Sequence, residues 1–257
     1  MPDYTDHQAP QGLRTRGTVI VVPGRGEGSA TYQRFGRRLA ADAYRVRVVE
    51  GWPSGRTDGG VDEALACLAT VLTDAADGLD RQSGVVRPLV LVGVDAGAAA
   101  VAALVDRDDV TASWWPEAVI LAGLPGAVAG PAATWDEELA TRTSCPVHRR
   151  VLTDDHATER GALAAPVPRE LLDAAYRSEV DLPRLVLVGD ADPLADRDRL
   201  AATVSRLPHG RLTTVRGAHH DVLNDLQHRS VAAEIITFLE VLRNELVPVL
   251  AVESSTW

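Results

Sequence analysis

Apolar positions in this 257-residue chain fall into short β-branched runs separated by helical patterns. Thr18–Val22 opens the series. Over 29–43, Tyr32, Phe35, Leu39 and Ala43 recur at helical spacing, with Ser29 as the expected N-cap. Tyr44–Val49 reads as a strand, and 61–77 as a helix with Ala64, Leu65, Leu68, Val71 and Leu72 on one face. A strand at 88–93, a helix at 96–105 and a strand at 118–122 follow. Later, Leu185–Val188 reads as a strand, 195–206 as a helix and Leu212–Val215 as a strand. A long amphipathic helix is expected over 222–245, carrying Val231, Ile235, Phe238, Leu239 and Leu242. Near-continuous apolar strands alternating with helices predict an α/β fold: a mostly parallel sheet with helices on both faces.

Residues 124–182 break the alternation. They are rich in Ala, Pro and Thr, with a short helical pattern at 169–177. In an open α/β sheet, ligands sit beyond the carboxyl ends of the strands. A long excursion there is expected to be a lid insertion within a single domain spanning 1–257. Its aromatic residues Trp135 and Tyr176 are candidates for lining a substrate pocket, with packing as the simpler role for Tyr176. Trp114 and Trp115 are read as packing or surface anchors.

Composition narrows the chemistry. The formal net charge of −10 argues against nucleic acid as a partner. All 26 basic residues are Arg, which excludes Schiff-base lysines and the lysine of a phosphate-binding loop. Cys67 and Cys145 make neither a disulfide framework nor a zinc site, and Cys67 is expected in the core. No ligand cluster has convincing metal spacing, so neither a metal nor an organic cofactor is expected. Met1–Arg16 lacks the apolar core of a signal peptide, and the apolar stretch 88–105 is interrupted by Asp95. A cytoplasmic protein acting on a small molecule, with no membrane span, is the expectation; a homo-oligomer stays open.

Four segments carry candidate chemistry. Gly93-Val94-Asp95-Ala96-Gly97 joins a strand to a helix in the frame of a nucleophile elbow, with aspartate at the central position where serine is usual. Pro23–Gly28, a glycine-rich turn, follows the first strand; its Arg25 N–H and the Ala96 N–H would form an oxyanion hole. Asp192 follows the strand at 185–188 and would orient a histidine, with Asp190 and Asp196 as nearby competitors. His220 follows the last strand as a candidate general base, with His219 as the alternative.

The order Asp95, Asp192, His220 resembles that of the α/β-hydrolase superfamily, and the motifs are similar to its monoglyceride lipase and lysophospholipase-like branch. Pro23-Gly24-Arg25-Gly26-Glu27 stands where that branch has a histidine–glycine pair before x-Gly-Glu. Gly217-Ala218-His219-His220-Asp221 matches its histidine motif, which selects His220 over His219. The resemblance runs from about Thr18 to Leu242. It implies an α/β-hydrolase fold with an opening antiparallel hairpin, an edge expected to be trimmed here because few residues precede Thr18.

An aspartate at the elbow changes the chemistry. A carboxylate needs no base to attack, and on an sp³ carbon it leaves a stable alkyl ester. His220 would then activate water against the Asp95 carbonyl carbon, a scheme resembling haloalkane dehalogenases and epoxide hydrolases. Here Ala96 stands where those dehalogenases have an aromatic residue, and the region 124–182 has one tyrosine where epoxide hydrolases usually have two. Three readings stay open: a hydrolase working through a covalent Asp95 ester; a lyase, isomerase or cyclase on the same scaffold; and a binding protein without turnover. If Asp95 replaced a native serine, an esterase or lipase-like parent would follow.

Overall fold

The computed structural model describes residues 4–53, 59–80, 84–107, 111–130, 134–251 and 253–254. Seven strands form one sheet: β1 (Tyr4–His7), β2 (Gly17–Val22), β3 (Tyr44–Val49), β4 (Leu89–Val94), β5 (Ala118–Ala122), β6 (Arg184–Gly189) and β7 (Gly210–Val215). Their order is β1-β3-β2-β4-β5-β6-β7. All neighbours pair in parallel except β1, which runs antiparallel to β3 with Asp6 opposite Arg47.

The strands alternate side chains between two apolar layers. Ile20 and Val22 of β2, Leu89 and Leu91 of β4 and Val119 and Leu121 of β5 face α2 (Val61–Asp80), α3 (Ala96–Val105) and α6 (Arg169–Arg177). Val19, Val21, Val90, Val92 and Ile120 face α1 (Gln33–Ala41) and α8 (His228–Arg243). Every residue of the Ala-rich α3 is buried, as expected of a helix that is apolar all round. Small side chains there let the helix sit close to the sheet. α7 (Arg197–Val204) bridges β6 and β7. No helix is long and apolar enough to cross a membrane, among the described residues.

Several local expectations are corrected. The edge beside β3, where the opening antiparallel element is expected to be missing, holds an antiparallel strand, β1. Asp6 draws it in: both its carboxylate oxygens accept from the buried Arg47 guanidinium at 2.6 Å, and the Tyr4 ring lies 3.5 Å from that guanidinium. Ser29 does not cap a helix; it opens a 3-10 turn, Ser29–Tyr32, preceded by Gly28. Cys67 is only half-buried, whereas Cys145 is buried. The expected helix 222–245 begins only at His228, because Asp225 folds the preceding segment into a turn. Its Oδ1 accepts from Thr143 Oγ1, Ser144 N and Leu226 N.

Between β5 and β6 the chain makes α4 (Trp135–Arg142), α5 (Pro146–Asp154) and then α6. Thr134 caps α4 through its hydroxyl, which accepts from the Glu137 N–H. α6 packs on α3 and completes one face of the molecule; α4 and α5 meet the loops that follow β2 and β7.

Candidate active site

The turn after β4 places Asp95 at φ 51°, ψ −119°, a strained conformation for a residue with a side chain. Gly97 makes the turn possible: a Cβ there would lie 2.5 Å from the Val22 carbonyl oxygen. The elbow thus seats the first turn of α3 against the end of β2 and raises the Asp95 carboxylate above the sheet. Across from it, Gly24 allows the β2 loop to approach; a Cβ there would stand 2.9 Å from Asp95 Cβ.

The other two candidates converge on this carboxylate. His220 Nε2 lies 3.1 Å from Asp95 Oδ1, and its Nδ1 lies 2.9 Å from Asp192 Oδ2. Asp192 is itself fixed, its Oδ1 accepting from the Leu194 N–H at 2.9 Å. The competitors have other tasks. Asp190 accepts from the Gly217 N–H, and Asp196 caps α7 through the Arg199 N–H. His219 turns the other way, with Nδ1 3.0 Å from Asp225 Oδ2.

Arg25 brings a feature that the loop's motif does not announce. Its backbone N–H donates to Asp95 Oδ2 at 2.9 Å, and its guanidinium grips the same carboxylate, Nε to Oδ2 at 2.8 Å and Nη2 to Oδ1 at 2.7 Å. Nη1 donates to the Ala165 carbonyl in the segment between β5 and β6. Ala96, the other expected backbone donor, is the first residue of α3 and fully buried.

Electrostatics follow from this enclosure. Burial would raise the Asp95 carboxyl, but the Arg25 and His220 charges outweigh it and hold it well below the usual carboxylate range. Burial works against the His220 imidazolium, yet Asp192 and Asp95 on either side lift it to about 10. Both shifts favour the charged pair, Asp95 as carboxylate and His220 as imidazolium.

Trp135 and Tyr176 are not brought to this centre. The Trp135 indole N–H donates to Thr153 Oγ1, and the Arg160 guanidinium covers its ring at 5.2 Å. Tyr176, on α6, is buried with its hydroxyl donating to the Pro125 carbonyl. Trp114 is buried and Trp115 packs at the edge of the same apolar layer.

A second buried cluster adjoins the first. Arg142 Nη2 donates to Glu138 Oε1 at 2.9 Å and to the Arg25 carbonyl at 2.8 Å. Its Nη1 stands 3.7 Å from Glu27 Oε1 and 3.6 Å from Asp221 Oδ1. His148 Nε2 bonds Asp221 Oδ2 at 2.8 Å. Carbonyls at the end of α4 hold the histidine loop: Thr141 accepts from the His220 N–H and Arg142 from the Asp221 N–H. Glu27, His148 and Asp221 have the donor types for a cation, but Arg142 already places its positive charge among them. Glu27 and Asp221 are the last residues of the two loop motifs, so their position marks them; Arg142 and His148 carry no sequence signal.

A groove of about 590 Å³ lies beside this cluster, between α1 and α5, with Arg34, Arg37, Arg38 and His148 among its lining residues. Asp95, Asp192 and His220 do not line it.

No family profile matches the chain, and no curated protein sequence matches it. Solved structures do. A monoacylglycerol lipase from Paleococcus ferrophilus is 16% identical, with 94% of this chain and 99% of that one aligned at a TM-score of 0.68. A soluble variant of monoglyceride lipase from Saccharomyces cerevisiae, in complex with a substrate analog, is 16% identical over 93% of this chain and 91% of its own, also at 0.68. A lipase-esterase related protein from Clostridium acetobutylicum is 14% identical over 93% and 99%, at 0.69. At such identities the likeness speaks for the fold alone. Together with the sheet order and the elbow, it gives this chain an α/β-hydrolase architecture related to lipase- and esterase-type structures, with a buried acidic and histidine cluster at the carboxyl edge of the sheet.

Proposed function

We propose that the protein is a hydrolase of small organic substrates that uses Asp95 as a covalent nucleophile, with His220 and Asp192 driving breakdown of the ester. The observation that carries this reading is the unbroken hydrogen-bonded series Asp95–His220–Asp192, set on an elbow whose neighbouring amide, Arg25 N–H, already faces Asp95 Oδ2.

Asp95 Oδ1 attacks an sp³ carbon, and the bond to a halide or epoxide oxygen breaks. A halide leaves with the electron pair while the His220 proton passes to solvent; an epoxide oxygen takes that proton directly. Once Asp95 is a neutral ester, one of the two carboxylates that hold the His220 proton is gone. The imidazole becomes a better base at the moment it is needed. Water then attacks the Asp95 carbonyl carbon and gives a proton to His220. The Arg25 and Ala96 N–H groups hold the oxyanion. The remaining hydroxyl proton goes to the departing alkoxide, which restores the carboxylate and the imidazolium. The 124–182 segment, which reaches Arg25 through Ala165, serves as the lid.

The test is a single turnover in heavy-oxygen water with a panel of alkyl halides and epoxides, read by peptide mass. One heavy oxygen is expected on the peptide containing Asp95. Product formed without that label sinks the covalent step. The guanidinium closed over both Asp95 oxygens favours a second reading, a ligand-binding protein without turnover; product from any member of the panel, lost in Asp95→Ala, overturns it.

A further inference from the structure

The guanidinium of Arg25 has no part in the chemistry above, yet nothing can reach Asp95 Oδ1 while it is there. It is 3% exposed and spans both carboxylate oxygens. The backbone beneath it is tied down: the Arg25 carbonyl accepts from Arg142 Nη2, and the Gly26 carbonyl accepts from the Glu159 N–H at 2.9 Å. The side chain alone can therefore be exchanged without dismantling the loop.

Charge dictates what must replace Asp95 as its partner. Arg25 and His220 balance Asp95 and Asp192 in a space closed to water. Alkylation turns Asp95 into a neutral ester and strands a buried guanidinium, which is strongly unfavourable. A neutral substrate leaves the guanidinium without a carboxylate to pair with. A substrate carrying its own carboxylate supplies one, and also frees Asp95 Oδ1 to attack.

Resting on the reading of Asp95 as nucleophile, we propose that Arg25 selects the substrate by exchanging Asp95 for a substrate carboxylate. The substrate class is then a small carboxylic acid with an electrophilic sp³ carbon. Asp95 Oδ1 lies 2.7 Å from Arg25 Nη2, so one compact ligand must meet both. The reacting carbon therefore stands one or two bonds from the carboxylate, as in a 2-halo acid or a 2,3-epoxy acid. The bonds made and broken are those given above, and the products are a 2-hydroxy acid and halide, or a 2,3-dihydroxy acid. A planar guanidinium suits this ligand, because it offers parallel donors to a carboxylate.

Two measurements on the intact protein test this. The first is calorimetric binding of propionate, which cannot react, to the wild type, Arg25→Met and Arg25→Lys. Binding to the wild type is expected, at least tenfold weaker in Arg25→Met and retained in Arg25→Lys, which keeps the charge and controls for misfolding. No binding to the wild type, or equal binding to Arg25→Met, overturns the proposal. The second compares heavy-oxygen labelling of Asp95 by 2-chloropropionate and glycidate with that by 1-chloropropane and propylene oxide. The acids are expected to label at least tenfold faster; equal or faster labelling by the neutral compounds overturns the proposal while leaving the nucleophile intact. Propionate binding that depends on Arg25, with no label from any electrophile, overturns the nucleophile and supports the ligand class.

Discussion

Two charged clusters lie side by side beneath the same loops, and they are finished to different degrees. Around Asp95 every carboxylate oxygen and both imidazole nitrogens have partners, and positive and negative charges cancel. Around Arg142 one guanidinium serves Glu27, Glu138 and Asp221, and the buried Glu27 Oε1 and Arg142 Nη1 are left without hydrogen bonds. On the proposed function the first cluster must open, because the Arg25 guanidinium covers both Asp95 oxygens. The second carries excess negative charge: burial and the Asp221 charge push the Glu27 carboxyl up to about 7, with Arg142 only partly offsetting them. Their different roles follow. On the proposed function the balanced cluster holds the reacting groups, while the second ties α4 to the loops after β2 and β7 and sets where those groups stand.

The most severe way to break the comparison is Arg142→Met. It removes the shared cation and leaves carboxylates buried without one, a type of loss that costs about 3–5 kcal/mol. Urea unfolding should show a fall of that order, with Asp95 labelling lost as the His220 loop loses its anchor.

A smaller effect separates the clusters by pH. His220 titrates at about 10 in the folded protein against an ordinary 6.5, so folding favours its protonated form. That stabilisation is complete below pH 6.5 and is lost as pH rises through 10. Over pH 7–9 the loss should be roughly 1–3 kcal/mol. Melting temperatures across that range test it, and Asp95→Asn should flatten the slope because it removes one of the two carboxylates holding the proton.

The smallest expected effect is at Glu27. Its folded value is raised from 4.5 to about 7, so its contribution favours folding at low pH and fades as pH rises through that window. Glu27→Gln keeps an acceptor for the Gly24 N–H and the Tyr32 hydroxyl while removing the charge. Stability at pH 8 should rise by about 1–2 kcal/mol, with the slope between pH 4.5 and 7 reduced. An unchanged slope would mean that Arg142 neutralises this carboxylate fully.

Much of the fold can be read from the chain because buried parallel strands must be apolar throughout, as at Val19–Val22 and Leu89–Val92. The convergence of Asp95, Asp192 and His220 is legible for a related reason: Asp95 and Asp192 each follow such a strand, His220 follows the edge strand β7, and strand ends share one edge. What escapes the reading depends on distant partners. Nothing local in Tyr4–His7 announces a strand, because its reason is Arg47, forty-one positions on from Asp6. The turn at 221–227 looks helical until Thr143 and Ser144 supply the donors that hold Asp225. Arg25 is visible as a backbone amide in a glycine-rich turn, but where its guanidinium goes depends on the Asp95 carboxylate and the Ala165 carbonyl. Trp135 misleads for the opposite reason: an aromatic residue in an insertion suggests a pocket, yet Thr153 and Arg160 occupy it on the outside.

The Asp6–Arg47 pair has a practical consequence for anyone shortening this protein. Cutting away the first seven residues takes the carboxylate that Arg47 bonds among the described residues and the ring that shields it, leaving its guanidinium with the Ala75 carbonyl of α2. It also bares the edge of β3 over Val46–Val49. A shortened version should be less soluble and prone to self-association by strand addition, so expression tags belong upstream of an intact Tyr4–His7.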